Sequence, residues 1–91
     1  MKWFGLVAVY EVSPQCVVLE TEEGREVRIT ARRDLSTGMY VSEYERRVTV
    51  SSGGHTYQVW ALTPAYQAHT ADDPRACLEA AVEEVGRTRV Y

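Results

Sequence analysis

The clearest pattern in the chain is EVRITARR, residues 26–33, where Val27, Ile29 and Ala31 alternate with Arg28, Thr30 and Arg32. A period of two places the apolar members on one face of a strand and the polar members on the other. That is the signature of a sheet with one wet face. Residues 3–12 predict an earlier strand, rich in Val and aromatics, which Pro14 ends. Residues 16–22 predict a second, and Gly24 supplies the turn into EVRITARR. After DLSTG, a fourth strand covers about residues 39–50. Its even positions (Tyr40, Ser42, Tyr44, Arg46, Val48, Val50) share one face, while Glu43, Glu45, Arg47 and Thr49 look solvated. SSGG then turns the chain into a fifth strand over residues 55–63, since two glycines permit the positive φ that tight hairpins need. Pro64 ends it, and residues 65–71 read as a short extended segment or a loop.

The period changes near residue 74. Cys77, Leu78, Ala81, Val82 and Val85 recur at helical spacing, with Arg75, Glu79 and Glu83 on the other side. A helix is expected over about 74–85. Gly86 is placed as its C-terminal cap, and RTRVY either adds a last short strand or frays. The fold class expected is α+β: an antiparallel sheet of about five strands, with strong curling allowed, and one amphipathic C-terminal helix packed on one face. All 91 residues are read as one such domain.

Composition narrows the function classes. With 45% hydrophobic and 25% charged residues the chain is globular and not disordered. A net charge of −3 argues against a generic polyanion binder, whose affinity comes from neutralised phosphates. The basic residues are nine Arg and one Lys, a bias toward planar, bidentate contacts that a GC-rich coding genome equally produces. Two cysteines, Cys16 and Cys77, make neither a disulfide framework nor a zinc site. The N-terminal MKWFGLVAVYEV imitates a signal peptide, but Glu11 interrupts it, no small-residue cleavage site follows, and it is too short to span a bilayer. We read it as a strand and expect a cytoplasmic protein with reduced thiols and no membrane partner.

Polar chemistry concentrates in AHTADDP, where His69 precedes Asp72 and Asp73. A residue before proline is pushed out of the helical region, so Asp73 suits the N-cap, with Pro74 at the first helical position. Asp72 adds negative charge near the positive end of the helix dipole. A metal site or small enzyme around His69, Asp72 and Asp73 is the competing expectation, with His55 as a fourth ligand only if folding brings it close. The helix start accounts for more of the residues, and no metal or other cofactor is expected. A Cys–His nucleophile would need the fold to bring the two residue types together. STG (36–38) and SSGGH (51–55) contain glycines but precede no helix, so both are read as turns rather than phosphate loops. Glu79, Glu83 and Glu84 are expected on a solvated helix face.

The sharper candidate is the aromatic and arginine content of the sheet. Tyr40, Tyr44, Arg46, Trp60, Arg28 and Arg32 form the candidate binding set, since stacked aromatics with interleaved arginines hold single-stranded nucleic acid. Against this, the arginines can pair with Glu26, Glu43 and Glu45 across strands. Six arginines against four acids within residues 25–47 make only a mild basic excess. Strand one, moreover, is apolar on both sides: Trp3, Val7 and Val9 alternate with Phe4, Leu6, Ala8 and Tyr10. One short helix covers one face, so curling of the sheet, a second copy or a partner must cover the other. The main expectation is a non-catalytic protein-binding or regulatory module acting through a sheet face or edge, as a homodimer or with a protein partner. Single-stranded nucleic-acid binding is the alternative.

Overall fold

The computed structural model describes residues 6–13 and 15–88. The expected strand start at residue 3, the alternation expected along the first strand and the end of RTRVY lie outside the described residues or side chains. The elements are β1 (Leu6–Ser13), β2 (Cys16–Thr21), β3 (Glu26–Arg33), β4 (Tyr40–Ser52), β5 (His55–Leu62), β6 (Thr70–Ala71) and α1 (Pro74–Thr88). The five long strands form an open antiparallel sheet in the order β1-β2-β3-β4-β5, and the two-residue β6 adds to the start of β4. This is the expected α+β class.

Alternation explains the core. Val17, Leu19 and Thr21 of β2 and Val27, Ile29 and Ala31 of β3 are all buried. Directly opposed residues share a face. Leu19 lies opposite Val27, and Ile29 lies opposite Tyr44, so one continuous apolar face runs across three strands. The helix lays Cys77, Leu78, Ala81, Val82 and Val85 onto that face. It packs over β2, β3, β6 and the first part of β4.

The helix begins as expected. Asp73 Oδ2 accepts from the Ala76 N–H at 3.0 Å, and the Asp73 carbonyl accepts from the Cys77 N–H at 3.1 Å. Asp73 is therefore the N-cap and Pro74 the first helical residue, where its missing N–H costs nothing. The other end corrects the expectation. Gly86 is a buried residue inside the helix, not its cap, and Arg87 and Thr88 extend the helix where a strand or frayed end was expected. Two contacts account for the extra turn: Arg87 reaches back to Glu84 at 2.8 Å, and the Thr88 hydroxyl donates to the Glu84 carbonyl at 3.0 Å.

The β4–β5 connection has a tight local cause. Gly53 and Gly54 hold φ of 57° and 80°, the pair of left-handed residues that a two-residue hairpin with native twist requires. The register therefore closes at Ser52 opposite His55 and runs without a break to Glu45 opposite Leu62. The partner strand β3 begins only at Glu26, beside Arg47. Residues 48–59 thus leave the body of the sheet as a two-stranded arm.

Candidate functional site

Three surfaces concentrate side chains that could act on something. The first is the sheet face opposite the helix. Arg28 and Glu45 lie directly opposite and pair at 2.8 Å, Arg32 reaches Glu43 at 3.1 Å, and Arg47 reaches Glu26 at 3.4 Å. Trp60 lies beside Arg47 on β5, with the Arg28 guanidinium 4.8 Å and the Arg47 guanidinium 5.5 Å from its ring centre. Guanidinium over indole is a favourable electrostatic arrangement. The three guanidinium groups meet three carboxylates, so this face is a cross-strand lattice with no positive excess among these groups.

The candidate binding set is divided by the sheet itself. Arg28, Arg32 and Trp60 share the charged face, and Arg28 and Trp60 touch. Tyr40, Tyr44 and Arg46 lie on the helix side. The cause is register: Val27 faces Arg46, so even positions of β3 share a face with odd positions of β4. Tyr44 is buried, its ring 5.0 Å from that of Tyr66, and its hydroxyl donates to the Gln67 carbonyl at 2.9 Å. Burial pushes the Tyr44 hydroxyl up to about 12, with the Ser42 hydrogen bond opposing the shift.

The second surface is the junction of the β5–β6 loop with the helix. The His69 N–H donates to Ser42 Oγ at 2.8 Å, Ser42 Oγ donates to the Tyr44 hydroxyl at 3.1 Å, and Tyr44 passes the chain on to Gln67. Glu84 closes the network. One of its oxygens accepts from the Gln67 N–H at 3.3 Å, and the other meets His69 Nε2 at 3.3 Å and Arg87 at 2.8 Å. Its side chain is 7% exposed, which corrects the expectation of a solvated carboxylate; Glu79 and Glu83 are exposed as expected. Burial alone would raise the Glu84 pKa, but the bonds from Gln67, His69 and Arg87 outweigh it and hold the carboxyl below its ordinary value. The spacing carried a signal: Glu84 stands seven residues after Cys77 and three after Ala81, on the apolar stripe.

This junction fastens a loop. The imidazole of His69 points to Glu84, while Asp73 caps the helix, so His69, Asp72 and Asp73 do not converge. Among the described residues no three His, Cys, Asp or Glu side chains are grouped as metal ligands would be. His69 does approach Cys77, but through its carbonyl, which accepts from the thiol at 3.5 Å. Burial pushes the Cys77 thiol above its ordinary pKa, the opposite of an activated nucleophile. Cys16 accepts from the Thr30 hydroxyl at 3.8 Å, and His55 lies exposed at the tip of the arm. STG and SSGGH are both turns: in the former, the Ser36 N–H and hydroxyl both donate to Asp34 Oδ1, which lowers the Asp34 pKa.

The third surface is the arm. Val48 lies opposite Val59 and Val50 opposite Tyr57, so four apolar side chains share one face. The other face pairs Thr49 with Gln58 and Ser51 with Thr56. Tyr57 is 48% exposed and Val59 37%, while the described part of the helix packs mainly on β2, β3, β4 and β6. Arg46 borders this apolar face at the root of the arm, where a depression of about 260 Å³ is lined by Arg25, Glu26, Val27, Arg46, Arg47 and Val48. The candidate set missed Val48, Val50, Tyr57 and Val59, of which the sequence pattern assigned only Val48 and Val50 to a face.

In comparisons with protein-family models, curated proteins and solved structures, none matches this chain. No described helix is long and apolar enough to cross a membrane.

Proposed function

We propose that this chain is a small non-catalytic protein-binding module that works through the β4–β5 arm. One observation carries the reading: Val48, Val50, Tyr57 and Val59 form one apolar face, half-buried at the two valines of β4 and exposed at Tyr57 and Val59. Apolar surface removed from water is worth roughly 25 cal/mol per Å², and an apolar patch rimmed by charge is a common form of docking site. Such pairs also stabilise the hairpin itself, by roughly 0.2–1 kcal/mol each. That contribution explains a pair of valines, but not an adjacent edge strand stripped of charge. β5, HTYQVWAL, contains no Asp, Glu, Lys, Arg or Pro.

Single-stranded nucleic-acid binding on the opposite face has less support. Its best observation is Trp60 with two guanidinium groups over its ring. Its weakness is that Arg28, Arg32 and Arg47 already have carboxylate partners, leaving little charge to release phosphate counterions. The test is capture from cell extract on immobilised chain, beside a Val50→Lys/Val59→Lys variant. The reading expects a polypeptide, whether another protein or the same chain, retained by the native arm and lost in the variant. Equal retention by both, or retention of nucleic acid alone, overturns it.

A further inference from the structure

We infer that the arm's partner is a second copy of this chain, joined antiparallel along β5. The inference rests on the arm being the binding surface and adds what occupies it. The two edges of the sheet differ in how they treat an incoming strand. β1 has register shifts between Leu6 and Ala8 and again between Glu11 and Ser13, and its sequence includes a glutamate. Bulges and charges are the devices that keep an edge from pairing. β5 has neither, since its register is unbroken over eight residues and its sequence carries no formal charge at neutral His. Among the described residues no strand lies beyond it.

The direction of its backbone groups follows from the turn. In a two-residue hairpin the closing pair, Ser52 and His55, exchanges hydrogen bonds, and such pairs then alternate with unbonded ones. His55, Tyr57, Val59 and Ala61 therefore bond to β4. The Thr63 N–H donating to the Tyr44 carbonyl at 3.1 Å continues the same phase. Thr56, Gln58 and Trp60 direct their N–H and C=O groups outward, a row of rungs ready for another strand.

A second β5 fits this row without conflict. A two-fold axis perpendicular to the sheet near Gln58 sets Tyr57 of one copy beside Val59 of the other, and Thr56 beside Trp60. Both copies keep the same face up, so the two apolar arm faces merge into one floor of eight side chains. No like charge is brought opposite like charge, because the strand has none. A two-fold, self-complementary contact is also the commonest way soluble chains assemble.

The test is molar mass by light scattering over a wide concentration range, for the native chain, Gln58→Pro and Val59→Lys. Proline at position 58 removes an outward N–H and no bond to β4, and lysine at position 59 charges the apolar floor. The expected result is a native mass near twice 10.3 kDa that falls on dilution, with each variant at 10.3 kDa wherever the native chain is paired. Should the proline variant fail to fold, the lysine variant decides. A native monomer at every concentration overturns the inference, as does a dimer that survives in the folded variants. A monomer that still captures another polypeptide through an intact arm overturns the second copy alone and leaves the binding-module reading standing.

Discussion

The two halves of β4 obey the same alternation, yet they meet different surroundings. In the first half, Ser42 and Tyr44 point into the helix-covered core, and the odd positions Glu43 and Glu45 pair with arginines of β3. In the second half, Val48 and Val50 continue the even face, but they are only half-buried and β5 is the one described strand still paired with β4 there. One strand thus passes from a closed core to an open apolar face without any change in its pattern. Period-two patterning reports which side chains travel together; it does not report what covers them.

This contrast gives an order of expected effects. The largest belongs to the covered half. Ile29 is fully buried under the helix, and Ile29→Ala should cost about 3 kcal/mol of unfolding free energy in urea, through lost burial and the cavity left behind. A cost near zero would mean that the helix does not seal this face.

Next comes the loop junction. Glu84→Gln should destabilise the chain by about 1–3 kcal/mol at neutral pH, because the bonds to Gln67, His69 and Arg87 favour the ionised carboxylate. The folded pKa of Glu84 lies below its ordinary 4.5, so the carboxylate's contribution is present above that value and lost as pH falls through the lowered one. Urea unfolding of both proteins from neutral to acid pH should show the difference closing on the acid side. A difference that stays constant with pH would place the effect in packing and not in charge.

The smallest effect on folding is expected in the arm. Val59→Lys should change the unfolding free energy by under about 1 kcal/mol in samples dilute enough to be monomeric, because only a cross-strand pair is lost. A loss comparable to that of Ile29→Ala would show the arm to be part of the core, and the comparison of the two halves would fail.

Much of the fold was legible from residue pattern. Val27, Ile29 and Ala31 against Arg28, Thr30 and Arg32 marked β3, and Asp73 with Pro74 marked the helix start. Gly86 misled because glycine permits a cap without requiring one, and the contacts of Arg87 and Thr88 with Glu84 carry the helix past it. The binding set was less legible. Tyr44 and Arg28 looked compatible in sequence, but the β3–β4 register puts them on opposite faces, and no local signal in DLSTG sets that register. The β4–β5 register was more accessible, since the two glycines of SSGG fix the loop at two residues. That alone pairs Val48 with Val59 and Val50 with Tyr57. What remained invisible was where burial ends, a tertiary fact that turns four ordinary strand residues into a surface.

Hydrogen exchange resolved along β5 tests the central claim most directly. The amides of Tyr57 and Val59 bond to β4, while those of Thr56, Gln58 and Trp60 point outward. If the arm pairs with a second copy, the outward amides exchange as slowly as their neighbours in concentrated solution and become fast on dilution. If they exchange rapidly at every concentration while Tyr57 and Val59 stay protected, β5 is a bare edge and the account of self-association is wrong.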